Sequence, residues 1–252
     1  MRVLFYYRGS EHFGVQSLIS YVQSKGHLAE LIYDPALGDN GYLDIPAVNR
    51  LLNKLFCNDK LIIEKAKRFQ PDLIAFSAIT NLYLPITKLA RKFKKVLPEV
   101  PIIIGGIHPT SLPDDVIKED CYDMLCLGEG EGAMEDLLDR MKNKLPYTNI
   151  KNLWVRDASG KIHKNPKRAV IRPLDSLPRP DKSLFAKYGA LTSRIMIMTT
   201  RGCPFACTFC VNSFRNSLYS SEVYLRQRSV PDVIEDLIHL KKTYKPRKFR
   251  FE

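Results

Sequence analysis

The chain has 252 residues, 45% apolar, 26% charged and 10% aromatic, a globular composition with room for one large or two ordinary domains. No apolar run reaches the length of a membrane span, and the opening "MRVLFYYRGSEHFG" lacks the parts of a signal peptide. The net charge of +12 is uneven: residues 1–150 hold 18 Lys and Arg against 19 Asp and Glu, leaving −1, and residues 151–252 hold 21 against 8, leaving +13.

These features predict a cytoplasmic protein of two domains, the basic surface lying wholly in the second. In that compartment clustered cysteines bind metal more often than they pair. A basic half can attract nucleic acid, phosphorylated substrates or acidic partners. The plainer alternative is that acidic neighbours in an absent or partner segment balance it.

"RVLFYY" (2–7) predicts a strand, followed by the polar loop "RGSEHFG" and a helical pattern through Lys25. "GHLAELIYD" (26–34) restarts with a Gly turn and a second strand. After the Gly-, Asp- and Asn-rich "PALGDNGY", residues 46–69 carry helical periodicity, with Leu51, Leu52, Leu55, Phe56, Ile62, Ile63 and Ala66 on one face. "PDLIAFSA" (71–78) is a third strand and "LPITKLARKFKKVLP" (84–98) an amphipathic helix. "VPIIIGG" (100–106) and "YDMLCLG" (122–128) are the fourth and fifth strands, and "EGEGAMEDLLDRMKN" (129–143) a helix with acidic residues at its N-terminus, where the helix dipole favours them. This alternation predicts an α/β fold with a doubly wound, Rossmann-like parallel sheet over residues 1–148.

Such sheets bind ligands at the carboxyl ends of their strands. Those ends are "RGSEHFG", "SAITN", "GGIHPT" and "GEGEG", rich in residues that let backbone approach a ligand. No G-x-G-x-x-G follows the first strand, so a nicotinamide cofactor is not indicated, and "GEGEG" lacks the Lys-Ser/Thr of a phosphate loop. His108 reads as a loop histidine bonded to backbone or water, with contact to a ligand or metal as the alternative. Cys57, Cys121 and Cys126 read as small buried hydrophobes. Asp114 and Asp115, after Pro113, read as helix N-terminal residues rather than paired catalytic carboxylates.

Residues 149–190 change character. "NLWVRDASGKIHKN" reads as a hairpin with a Ser-Gly turn, in which Trp154 packs. "IRPLDSLPRPDKSLF" then reads as an extended linker without helical period. In residues 191–252, "RIMIMTT" (194–200) is a strand, "SVPDVIEDLIHLKKTY" (229–244) a helix and "KFRFE" (248–252) another strand. One helix and two strands cannot close a core, so the sequence is expected to end inside its second domain.

Between them, "GCPFACTFC" places Cys203, Cys207 and Cys210 on one loop. A structural zinc site needs a fourth ligand, which is not nearby. A catalytic thiol needs one cysteine and a basic partner. A disulfide leaves one thiol over. Three thiolates on a short loop suit an iron–sulfur cluster with one iron open to an external ligand.

The C-x-x-x-C-x-x-C of "CPFACTFC" after a barrel-type strand resembles the signature of radical S-adenosylmethionine (SAM) enzymes. The resemblance implies that Cys203, Cys207 and Cys210 hold a 4Fe-4S cluster whose fourth iron binds SAM. One-electron reduction then cleaves SAM to a 5′-deoxyadenosyl radical, and the electron comes from a flavodoxin- or ferredoxin-type reductant. Phe209 falls at the family's aromatic position near the adenine, and Glu252 where an acidic residue often ends the second strand. The first domain, with "PDLIAFSAITN", "GGIHPTSLPDD" and "LGEGEGAMEDLL", resembles the cobalamin-binding, class B methyltransferase-like group of that family. The likeness covers nearly the whole chain. It implies cobalamin between the strand ends and the start of a partial (β/α) barrel, lined by Gly9, Ser10, Ser77, Thr80, Gly105, Gly106, His108, Thr110, Gly128, Glu129 and Gly130. It also implies methyl transfer, ring formation or rearrangement on a small-molecule substrate. The D-x-H-x-x-G motif that supplies an axial histidine in many cobalamin proteins is absent: His108 has Gly106 two residues before it. Two alternatives stay open, a radical SAM enzyme without cobalamin and a non-catalytic cobalamin- or partner-binding module. Nucleic acid binding has only the +13 half behind it.

Overall fold

The structure is a computed structural model that describes residues 1–9, 11–35, 59–189, 191, 194–219 and 224–251. Ser10, Leu51, Leu52, Leu55, Phe56, Cys57 and Glu252 lie outside the described residues. The chain divides into two compact units, Met1–Lys167 and Arg168–Glu252.

The first unit runs β1 (Arg2–Arg8), α1 (Phe13–Ser24), β2 (Leu28–Asp34), α2 (Asp59–Phe69), β3 (Leu73–Ser77) and α3 (Tyr83–Val96). It continues with β4 (Ile102–Gly105), the short helices α4 (Ile107–Ser111) and α5 (Pro113–Val116), β5 (Met124–Cys126), α6 (Glu131–Lys142), β6 (Leu153–Arg156) and β7 (Ile162–Lys164). The sheet order is β2-β1-β3-β4-β5-β6-β7. The first five strands are parallel, and β6 and β7 continue the sheet antiparallel. Val3 to Tyr7 are all buried because helices cover both faces of β1. On one face α1 packs on α6, and on the other α2 packs on α3. The α3 face that enters the core is Ile86, Leu89, Ala90 and Phe93, the helical spacing read in the sequence.

From β1 the chain turns to β2, and from β3 to β4, so the winding reverses between β1 and β3. That reversal is where an open α/β sheet leaves a crevice. Pro113, Asp114 and Asp115 occupy the first turn of α5, as helix-start chemistry requires. Cys121 and Cys126 are buried in and beside β5, and Lys164 lies over the Trp154 ring at 4.4 Å.

The expected boundary near residue 148 moves to Lys167 and Arg168. The hairpin is not a connector: β6 bonds the free edge of β5 through the pairs Met124–Val155, Leu125–Trp154 and Cys126–Leu153. An exposed parallel edge is thereby covered.

The second unit contains α7 (Ser183–Ala186), β8 (Arg194–Ile197), β9 (Thr200–Arg201), α8 (Val211–Leu218), β10 (Arg226–Gln227), α9 (Val230–Tyr244) and β11 (Lys248–Phe251). β8 pairs parallel with β11 across α9, and β9 pairs antiparallel with β10. Ile195, Ile197 and Leu240 form the βαβ core, with Val233, Leu237 and Phe249 against it. Three expectations are corrected. The linker is not wholly extended, because Leu174, Leu184 and Phe185 are buried from a 3-10 turn and from α7. The strand expected over 194–200 breaks at Met198 and Thr199, whose carbonyls go to the Arg228 guanidinium at 3.0 Å and the Arg228 amide at 2.9 Å. A helix, α8, follows the cysteines where none was expected. Among the described residues no helix is long and apolar enough to cross a membrane.

Candidate cofactor sites

On the α1 and α6 side of the first sheet, a narrow cleft opens at the carboxyl ends of the strands. Strand residues Phe5, Tyr6, Ala75, Phe76 and Ile103 line it, with Val15 and Leu18 of α1 and Met134 of α6. Its remaining lining comes from Ser77, Gly105, Gly106, Cys126, Gly128 and Gly130. Among the described residues, no charged side chain is in the lining. A larger cleft of about 500 Å³, beside Met1, Pro71, Pro101 and Tyr147, lies at the opposite end of the strands. Ligands of doubly wound sheets do not bind there, so position outweighs size.

The loops around the cleft are tied to one another. Gly106 has φ +100°, and a Cβ there would lie 2.7 Å from the Ala78 carbonyl oxygen, so backbone approaches backbone too closely for a side chain. The Thr110 hydroxyl donates to the Gly106 carbonyl at 2.7 Å and accepts from the Gly128 amide at 3.1 Å, joining the loops after β4 and β5. His108 joins the loops after β3 and β4. Its amide donates to the Ala78 carbonyl at 3.1 Å, and its Nδ1 pairs with the Thr80 hydroxyl at 3.2 Å. The ring rests on Tyr83 at 4.1 Å, and burial lowers its pKa. It is 7% exposed, a buried histidine of α4 rather than the loop residue expected. At the end of β1, Arg8 Nη1 and the Tyr6 hydroxyl donate to the buried Asp34 carboxylate at 2.7 and 3.1 Å. The Asp34 carbonyl takes the Gly9 amide at 2.9 Å. Burial first, and then the Asp34 charge, push the Tyr6 phenol pKa upward.

In the second unit the three cysteines occupy the turn between β9 and α8, their thiols unpaired by any disulfide. Cys203 and Cys210 are half-buried and Cys207 is exposed. The Cys210 amide donates to the Cys207 carbonyl at 3.0 Å, which folds the last part of the loop into a turn. Cys210 caps the N-terminus of α8, where unpaired amides favour negative charge. Phe209 is 92% exposed.

Residues 13–138 match the B12 binding domain family. The chain belongs to that family. It is 30% identical over 212 residues to a protein of Pyrococcus horikoshii named an uncharacterized methyltransferase, covering 82% of this chain and 44% of that one. It is 28% identical over 179 residues to the anaerobic magnesium-protoporphyrin IX monomethyl ester cyclase of Rubrivivax gelatinosus, covering 68% and 32%. The structure of the cobalamin-dependent S-adenosylmethionine radical enzyme OxsB, with aqua-cobalamin and S-adenosylmethionine bound, superposes with a TM-score of 0.68 at 18% identity. That match covers all of this chain and 34% of OxsB and shows a shared fold. The chain spans about a third to somewhat under half of the length of these relatives.

Glycines at 105, 106, 128 and 130 line this cleft and leave backbone open beside it at the strand ends. Of the residues expected from the sequence, Ser77, Gly105, Gly106, Gly128 and Gly130 share this cleft. Thr80, His108 and Thr110 tie its loops instead of lining it. Gly9 closes on Asp34, and Glu129 gives its carbonyl to Asn152 Nδ2 at 2.7 Å. The apolar lining from Phe5, Val15, Leu18, Ile103 and Met134 was not foreseen. Those residues read as ordinary core, and only the tertiary arrangement leaves them beside an opening.

Proposed function

We propose that this chain binds cobalamin on its first unit and a 4Fe-4S cluster with SAM on its second. It would serve methyl transfer or a related carbon-skeleton reaction, such as ring formation, on a small molecule. What carries the reading is the occurrence in one chain of a B12-binding unit and a loop of three unpaired cysteines between a strand and a helix start. The donor set fits: three thiols of one loop suit a cluster that leaves one iron open. When bound, the cluster and SAM would supply one-electron chemistry, and cobalamin an alkyl-carrying metal.

The chain's own residues supply position and surroundings. Cys203, Cys207 and Cys210 would hold iron, with the α8 N-terminus next to the negative charge of the thiolates. Phe209, with its ring in the open, is available to lie against the adenine of SAM. The glycines of the strand ends would let the macrocycle approach the backbone, and the apolar cleft would take up an aromatic group without competing for cobalt. His108 is engaged with Thr80 and Tyr83, so it would act as a spacer between loops and not as an axial ligand. The exposed cysteine loop also calls for a reducing compartment and a one-electron donor of the flavodoxin or ferredoxin type, consistent with the cytoplasm.

Anaerobic reconstitution with iron and sulfide tests the metal half. The full chain should take up about four irons. Each of Cys203→Ala, Cys207→Ala and Cys210→Ala should lose most of that iron while keeping its far-ultraviolet spectrum. Native iron content in any one of the three would remove that cysteine from the ligand set.

A further inference from the structure

The cysteine loop is gripped by a side chain that no motif contains. Asn216 sits on α8, six residues beyond Cys210. Its Nδ2 donates to the Cys203 carbonyl at 3.0 Å and to the Phe205 carbonyl at 3.3 Å, thirteen and eleven residues back along the chain. Its Oδ1 is buried and accepts no hydrogen bond from a described residue. A buried acceptor left unmet costs about 1–3 kcal/mol, so this amide is held in place for the two carbonyls its nitrogen serves.

The same helix begins at Cys210, and the Ser213 amide and hydroxyl fix the Cys210 carbonyl at 3.1 and 2.8 Å. The Cys207 carbonyl is tied to Cys210 in turn. On the other side of Cys203, Gly202 stands so close to Tyr224 that a Cβ would lie 2.5 Å from the Tyr224 carbonyl oxygen. The main chain of Cys203 is therefore held from both directions, by Tyr224 before it and by Asn216 after it. Both ends of the C-x-x-x-C-x-x-C segment are referred to one short helix.

We propose that Asn216 is the positioning residue of the cysteine loop. Its carboxamide sets the stance of the Cys203–Phe205 arm relative to Cys207 and Cys210, and thereby the retention of the cluster they hold. This rests on the cluster assignment made above. The arm's two carbonyl oxygens converge on one donor. Without it they repel each other, and the arm is free to turn Cys203 away from the other two thiols. Asn216→Asp keeps the shape but places carboxylate oxygens against those carbonyls and adds negative charge beside the site. Asn216→Ala removes the donor and adds no charge.

The full chain and both variants are reconstituted anaerobically. Iron content, the rate of iron loss to a chelator, and the midpoint potential by electron paramagnetic resonance are then measured, with far-ultraviolet spectra as the check on folding. Loss of a charge-neutral hydrogen bond of ordinary strength predicts iron release about tenfold faster from Asn216→Ala. That variant should shift the potential little. Asn216→Asp should release iron faster still and have a more negative midpoint, because added negative charge favours the oxidised cluster. If the unaltered chain takes up no cluster, the assignment of the three cysteines fails and this inference fails with it. If the unaltered chain holds a cluster and Asn216→Ala matches it in release rate, the inference alone is overturned.

Discussion

Gly106 shows how much of the first site is decided by single residues. With φ +100° and no room for a Cβ beside Ala78, Gly106→Ala should cost about 1–3 kcal/mol, read as a lower urea midpoint of the full chain, and should weaken cobalamin retention. An unchanged midpoint would mean that the loop after β4 relaxes freely. His108 gives the unit a pH dependence. Burial holds its pKa below the ordinary 6.5, so the unfolded chain binds its proton first. The associated stability is complete above pH 6.5 and is lost as the pH falls below it. His12 acts in the same direction, its pKa lowered to about 4 by burial while its Nδ1 accepts the Val15 amide at the start of α1. Urea midpoints should therefore fall on acidification from neutrality, and His108→Asn should flatten the slope. A midpoint independent of pH would contradict the neutral, buried state. The glycine pair was visible in the sequence because a strand ending in Gly-Gly has few other uses. The burial of His108 was not, because Tyr83 and Thr80 reach it from 25 and 28 residues away.

At the scale of elements, local signals succeeded where a segment carries its own periodicity and caps. The α9 helix opens on Ser229, whose hydroxyl accepts from the Asp232 amide, with Pro231 in the first turn. Its start was legible for that reason. The α8 helix was not, because its apolar residues Val211, Phe214 and Leu218 stand at helical spacing over only eight residues, fewer than a helical period needs to be read. The break between β8 and β9 was hidden for a different reason: it depends on Arg228, thirty residues from Met198. Arg228 donates Nε to Asp232 at 2.7 Å and Nη1 to Asp236 at 2.9 Å, and its side chain is nearly buried. Removing the cation leaves the buried Asp236 carboxylate unmatched. Arg228→Met should therefore destabilise the second unit by about 3–5 kcal/mol, measured by thermal unfolding. The exposed pair Lys118–Asp115 should contribute far less when broken. A cost for Arg228→Met as small as that would show that the Arg228 network does not hold the strand end.

For the whole molecule, strand–helix alternation was enough to give the doubly wound sheet, and the cysteine spacing is what the proposed second site rests on. The limit of the first unit was misplaced because a hairpin's edge partner is not written in its own residues: β6 joins β5 across the intervening α6. The uneven charge agrees with a division into two units, though less sharply than at residue 150: residues 1–167 hold 23 Lys and Arg against 20 Asp and Glu, or +3, and residues 168–252 hold 16 against 7, or +9. The central claim is that one chain holds two cofactor sites, and its less protected half is cobalamin, since no axial histidine motif supports it. The full chain should be mixed with hydroxocobalamin, passed through ultrafiltration and read by absorbance. A single cobalamin retained per chain, and lost in Gly106→Ala, is the predicted result. Passage of all the cobalamin through the filter would contradict the account and leave the cysteine loop as its only cofactor site.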